Sequence, residues 1–460
     1  MTTYEDFLKT KEYTYQNTGF DVSSDELNHN LFDFQREIVR WALKKGRCAL
    51  FLDTGLGKTI CQLEFANQVC KHEGNDSKAL ILAPLAVSKQ TRKEGNKFSI
   101  DVNICRTQAD VKPGINITNY EMMQHFDPKE FVCIVLDESS ILKASLGKMA
   151  NDIIDIFRFT KYKLACTATP SPNDYVEFGN HCEFLNVMSR VEMLATFFIN
   201  DAKEGQWRMK RHAEDKFWEW LASWAMVIKN PADVGYPDER YNLPPLNIKN
   251  IIVDSKAKIG ELIPSLAKDL SERREARKES MNDRVKVVQD LIKNMDSCLV
   301  WVDYNDESDL IKRTCNMVEV KGSDSDQHKE DSMLGFADGD IKFLVSKPSI
   351  CGFGMNFQKC HNMIFCGISD SYEKFYQAVR RCYRFGQEHE VNVYVIISER
   401  EVSVLNNIKK KQKQHERMSQ EMVSRTSEIL KNEIHNTTKI TEEYIANQII
   451  RIPKWLKEED

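Results

Sequence analysis

Five consecutive residues, Gly55, Leu56, Gly57, Lys58 and Thr59, have the types and spacing to hold a polyphosphate. Gly55 and Gly57 let backbone N–H groups turn inward at the start of a helix, where unpaired donors and the positive end of the helix dipole favour an anion. Lys58 would reach the outer phosphates, and Thr59 would place its hydroxyl on Mg²⁺. The strict G-x-x-x-x-G-K-[ST] pattern lacks its first glycine, because position 52 is Leu. Downstream, Asp137 and Glu138 end an apolar run. One carboxylate there can hold Mg²⁺ through water while the other polarises an attacking water; Asp137 takes the metal role and Glu138 the base role. Arg381 and Arg384 lie three apart, a spacing that predicts one helical face. Their forked, permanent charge suits a phosphate whose charge grows in the transition state.

These residues need elements to hold them. Cys48 to Leu52 and Phe131 to Leu136 read as buried strands, and Ile60, Leu63, Ala66 and Val69 continue the glycine turn as a helix. Ala79 to Leu85, Asn116 to Asn119 and Leu164 to Cys166 are further apolar strands. Thr118 and Asn119, and the hydroxyls of Thr167 and Thr169, close their strands as small polar groups, which a parallel sheet offers at its carboxyl edge. Before the glycine turn, Leu31 to Leu43 is an amphipathic helix whose Gln35 carries the donor and acceptor that match the edge of adenine.

Between Phe178 and Tyr241, aromatic and basic residues mix. Trp218, Leu221 and Trp224 are spaced to pack a helical core, while Arg208, Lys210 and Arg211 can serve either packing or a nucleic-acid backbone. Prolines 231, 237, 244 and 245 then mark a boundary near 240–250. Strands and helices alternate again at Cys298–Val302, Lys342–Ser346, Asn362–Cys366 and Val391–Ile397, a second α/β unit without a phosphate loop. The tail holds the basic run Lys409 to Arg417, which can brace the second unit or touch DNA. It also holds Ile450 to Leu456, which can fold back on a core.

At 460 residues the chain calls for two or three domains, and 42% hydrophobic with 29% charged residues is an ordinary globular composition. No run of eighteen apolar residues and no basic-then-apolar start argue against membrane insertion and export. Thirteen cysteines, odd in number and without a C-x-x-C pair, read as reduced core thiols of a cytosolic protein. Cys360, His361 and Cys366 fit no standard zinc spacing. A net charge of -5 limits nucleic-acid contact to local grooves.

In their order, Gln35, Gly55 to Thr59, Asp137-Glu138, Thr167 to Pro170, Gly352 to Asn356 and Gln377 to Gln387 resemble the superfamily two helicases, and among them the Swi/Snf-type ATPases. The close Arg384-Phe385-Gly386-Gln387 is similar to the Arg-x-Gly-Gln ending of that branch. Asp137-Glu138-Ser139-Ser140 and the segment Trp207 to His212 are similar to compact phage and prophage forms, with Ser140 standing where a histidine is usual. The resemblance implies an α/β fold of two tandem RecA-like domains with a helical insertion late in the first. Its parts would be a peripheral segment 1–30, domain one at 31–245 with the insertion at about 178–240, domain two at 246–400 and a helical extension at 401–460.

It implies ATP with Mg²⁺ between the domains, contacted also by Gly354 and Gln377, and arginines delivered on closure. It implies a DNA-stimulated ATPase moving on double-stranded DNA, with Thr118, Asn119, Arg208, Lys210 and Arg211 as candidate contacts, in a monomer of the bacterial or phage-infected cytoplasm. Single-stranded DNA or RNA are other possible tracks, since a strand-separating helicase or RNA remodeller shares these motifs. An ATP-gated DNA clamp that recruits a partner protein is the reading of another class.

Overall fold

The computed structural model describes residues 15–84, 87–143, 147–171, 174–201, 206–237, 241–254, 270–351 and 355–434; Gly354 and the stretch Ile450 to Leu456 lie outside them. Seven parallel strands form the first sheet: β1 (Arg47–Leu52), β2 (Lys78–Ala83), β3 (Val102–Ile104), β4 (Gly114–Asn119), β5 (Cys133–Asp137), β6 (Tyr162–Cys166) and β9 (Ala225–Ile228). Their order is β3-β4-β2-β5-β6-β1-β9. Helices cover both faces, so β1, β2, β5 and β6 are apolar almost throughout instead of alternating. The register sets Asp137 beside Cys166 and Cys166 beside Leu50. The carboxyl ends of β5, β6 and β1 therefore finish level, and the loops after them converge on one edge.

Two helices matter most in this lobe. α1 (Asp33–Lys45) precedes β1, and α2 (Lys58–Glu73) follows it. The mainly helical stretch after Phe178 also carries an antiparallel ribbon of β7 (Phe198–Asp201) and β8 (Gln206–Met209), and its α3 (Glu214–Trp224) leads into β9. Trp218, Leu221 and Trp224 on α3 are buried, as their spacing predicts.

The second sheet is also all parallel: β10 (Leu246–Val253), β11 (Cys298–Trp301), β12 (Val318–Val320), β13 (Phe343–Ser346), β14 (Asn362–Cys366) and β15 (Val391–Ser398), in the order β10-β15-β14-β11-β13-β12. The chain is thus two tandem RecA-like α/β lobes. Two helices link them. α4 (Tyr372–Val379) leaves the second sheet toward the first lobe. α5 (Val402–Ile434) starts among second-lobe apolar residues with Val404, Leu405 and Ile408 and ends in the first lobe's cores with Met422 and Leu430. Its far end is pinned where Trp41 Nε1 donates to Glu433 at 2.9 Å and Lys45 pairs with Glu433 at 2.6 Å. The basic tail is therefore a strap across both lobes, which goes beyond bracing the second one.

All thirteen cysteines are unpaired, and all but Cys315 are buried. Among the described residues no cluster of His, Cys, Asp and Glu could hold a metal ion, and no helix is long and apolar enough to cross a membrane.

Candidate active site

β1 breaks at Leu52 because the next residues cannot continue a buried strand, and the turn needs glycine twice. Gly55 has φ +93° and Gly57 φ +83°, a region that costs side-chain-bearing residues energy. Gly57 then caps α2, aiming its first N–H groups into the turn. Gln35 braces this loop. Its Nε2 donates to Leu56 O at 3.0 Å, its Oε1 accepts from Phe32 N at 3.0 Å, and a Cβ on Gly57 would lie 2.2 Å from its amide. The expected adenine reader therefore spends its amide on the loop backbone, a long-range role invisible in the α1 pattern.

Lys58 Nζ folds back to Leu52 O at 2.8 Å and Asp53 O at 3.3 Å. Burial pulls its pKa down, against the opposing pull of Glu138, Asp53 and Asp137. Thr59 sits half-buried in the first turn of α2. Across from them Asp137 ends β5. Burial, aided by the Glu138 charge, pushes its carboxyl up to about 6 in spite of Gln62, Lys58 and Arg381. Gln62, fully buried one turn after Lys58, was not singled out by the sequence, although its i+4 position on α2 puts it on the lysine's face.

Glu138 adopts φ +62°, a left-handed conformation that a non-glycine residue keeps only when its surroundings impose it. Thr167 Oγ1, just past β6, donates to Glu138 Oε1 at 2.6 Å, and Thr169 N donates to Thr167 Oγ1 at 3.1 Å. Next to the acids, Ser139 Oγ meets His181 Nε2 at 3.2 Å, and burial takes that imidazole down to about 3, so it stays neutral. A histidine thus stands behind the acid pair, reached through Ser139 from another helix and not from position 140.

The second lobe supplies the opposite wall. α4 ends at Val379, so Arg381 and Arg384 do not share a helical face as their spacing predicts; they lie in the turns that follow. Those turns are set by Gln387, whose Nε2 donates to Gln358 O at 2.9 Å and Cys360 O at 3.1 Å, and by Gly386 at φ +86°. Arg381 is buried, with Nε donating to Gln377 O at 3.1 Å. Burial lowers its pKa while Glu138 and Asp137 attract it across the cleft. Arg384 is held by Asn356 Oδ1, its buried Nε has no partner among the described residues, and burial with repulsion from Arg381 takes it down to about 10. Gln377 is buried on α4. Phe385 closes over the glycine loop, its backbone N 3.0 Å from where a Gly55 Cβ would be.

The candidate nucleic-acid contacts divide. Thr118 is 2% exposed inside β4, so its hydroxyl does not reach the surface; the small polar group ends up within the sheet, one residue short of its edge. Lys210 Nζ is committed to the end of the helix Arg190–Phe197, donating to Ala195 O at 2.6 Å and Thr196 O at 3.1 Å. Asn119 is half-buried at the carboxyl edge, and Arg208 and Arg211 are exposed on and beside the ribbon.

Asp53, Lys143, Glu373, Tyr376 and Arg380 also meet between the two lobes, and only tertiary contacts reveal them. Lys143 Nζ and Thr169 Oγ1 meet Glu373 Oε1 at 2.9 and 3.3 Å, and Arg380 pairs with Asp53 at 2.8 Å. The assembled donors, a lysine held by carbonyls, inward N–H groups and partnerless guanidinium N–H, fit a polyphosphate. The Asp137 carboxylate is an oxygen ligand of the kind a divalent cation takes.

A family model of the SNF2-related domain matches residues 34–209, and one of the helicase conserved C-terminal domain matches residues 283–386. The solved SWI2/SNF2 ATPase core of Sulfolobus solfataricus, in complex with dsDNA, is 18% identical, with a TM-score of 0.42 over 89% of this chain and 96% of that one. Comparison with curated proteins gives no match.

Proposed function

We propose that this chain, with its match to the SNF2-related domain followed by one to the helicase conserved C-terminal domain, is an ATPase of helicase superfamily 2 that couples ATP hydrolysis to movement along double-stranded DNA. ATP with Mg²⁺ would supply the phosphoanhydride and its charge-neutralising cation. The loop N–H groups from Gly55 to Thr59 and the Lys58 ammonium would cradle the phosphates, and Thr59 and Asp137 would hold the cation. Glu138 would take the proton of the attacking water, with Thr167 fixing its carboxylate. Arg381 and Arg384 would offset charge on the transferred group.

One observation supports this reading above the others: the turn that carries Arg381 and Arg384 packs onto the glycine loop through Phe385, 3.0 Å from where a Gly55 Cβ would be, which brings Arg381 of the second lobe within reach of the charges of Glu138 and Asp137 of the first. Hydrolysis then depends on how the lobes meet, which is how a track bound across both could gate it. Asn119, Arg208 and Arg211 are the first-lobe contacts we assign to the duplex. The test is ATP turnover without nucleic acid, with duplex, with single strands and with RNA. Duplex should stimulate most; stimulation by none of them would overturn the proposal, and strand release in an unwinding assay would replace translocation by a helicase.

A further inference from the structure

One face of α4 turns toward the first lobe. Glu373, Tyr376, Gln377 and Arg380 fall at i, i+3, i+4 and i+7, the spacing of a single helical stripe. At its start, Glu373 receives Lys143 and Thr169 from the acid wall. At its end, Tyr376 OH donates to Asp53 Oδ1 at 2.7 Å and Arg380 donates to Asp53 Oδ2 at 2.8 Å. Both members of the Asp53–Arg380 pair keep only 16% of their side-chain surface exposed. Burial alone would raise the Asp53 carboxyl, yet Arg380 and then Tyr376 hold it below the usual carboxylate range.

The positions of these partners give the pair its consequence. Asp53 is the first residue after β1, and its carbonyl receives the Lys58 ammonium while its carboxylate turns to the other lobe. Arg380 immediately precedes Arg381. The two oxygens of Asp53, one on Tyr376 and one on Arg380, thus tie the lysine's loop to the residue next to Arg381. A contact of this kind fixes register because both charges are largely withdrawn from water, and separating them leaves each uncompensated.

We propose that Arg380, with Tyr376, is a positioning residue for hydrolysis: by clasping Asp53 it sets the register of the lobes that presents Arg381 to the reacting phosphate. The proposal rests on the ATPase reading above. Misplacing a catalytic group by about 1 Å costs roughly 10²-fold in rate, so the effect belongs in kcat. When Arg380 is replaced, Gly55 to Thr59 still cradle the phosphates, so KM for ATP should change much less than kcat.

The experiment uses the full chain with Mg·ATP and saturating duplex. Arg380→Ala should lose about 10- to 100-fold in kcat, Arg380→Lys should recover part of it, and Tyr376→Phe should lose several-fold, with turnover compared below the thermal midpoint of each variant, since Arg380→Ala also leaves Asp53 without its partner. Asp53→Asn should show the same defect, and the double variant should be no worse than either single one, since residues in one contact are not additive. Wild-type kcat in Arg380→Ala, or defects that multiply in the double variant, would overturn the proposal. A fluorophore on each lobe gives a readout without turnover: Arg380→Ala should lengthen and broaden the interlobe distance, and an unchanged distribution would also overturn it. A wild-type protein that hydrolyses no ATP would sink the ATPase reading instead, leaving the clasp to be judged by that distance.

Discussion

Two groups of buried arginines in this molecule behave in opposite ways. In the second lobe Arg277 meets Asp303 and Glu401 at 2.7 and 2.9 Å, Arg284 meets Glu307 at 2.8 Å, and Arg400 meets Glu279 at 2.8 Å. Burial pulls Arg277 down, but Glu307, Asp303 and Glu401 reverse this and hold it above the ordinary arginine value; Arg284 is raised as well. In the cleft, Arg381 is buried and Arg384 half-buried, yet among the described residues neither has a carboxylate in ion-pair contact, and burial lowers both. A paired buried arginine organises its lobe, whereas one held on amide and carbonyl oxygens keeps its charge for an incoming anion. The same contrast divides Asp303, tied to an arginine, from Asp137, which has no ion-pair partner among the described residues and is pushed up to about 6.

The sharpest way to break this comparison is to remove the proposed base. Glu138→Gln should lower turnover by roughly 10²- to 10⁴-fold while ATP still binds; unchanged turnover in a rapid-quench assay would show that the base is another group. Next come the two arginine classes side by side. Arg384→Ala should reduce kcat by roughly 10³-fold with a thermal midpoint equal to or above wild type, because it deletes an unpaired buried charge. Arg284→Ala should instead destabilise the fold by about 3–5 kcal/mol in denaturant titration, since it strands Glu307. If Arg384→Ala were the destabilised variant and Arg284→Ala the inactive, stable one, the distinction would fail.

The smallest effect is on pH. Asp137 has a folded pKa of about 6, above the ordinary aspartate value of about 4, so its neutral form stabilises the nucleotide-free protein at low pH. That contribution is lost as pH rises through about 6, where the carboxylate becomes available to a cation. Relative to wild type, Asp137→Asn should therefore gain thermal stability between pH 4 and 7; a constant difference would contradict the shift.

The parts of this site legible in the sequence were those whose partners are near in the chain. Gly55 to Thr59 and Asp137-Glu138 each follow an apolar run that fixes a buried strand, so strand, turn and chemistry are read together. Edge strands of few residues were not legible: β3 has three, and β9 is embedded among tryptophans. Asp53, Tyr376 and Arg380 escaped because their contacts span 323 and 327 residues, and no local pattern encodes them. The spacing of Arg381 and Arg384 misled for a related reason. Their helix ends early because Gln387 gathers the carbonyls of a neighbouring loop, a tertiary effect that overrides local periodicity.

The uncompensated charges of the two walls should be satisfied together by one polyphosphate, and the most direct measurement is the thermal midpoint with Mg²⁺ and a non-hydrolysable ATP analogue. At a hundredfold excess over Kd, binding to the folded state stabilises by about 2.7 kcal/mol, so the wild-type midpoint should rise by several degrees, and Lys58→Ala and Arg381→Ala should each cut that rise. A midpoint that the nucleotide leaves unmoved, or a rise that survives undiminished in both variants, would contradict a nucleotide held between the lobes.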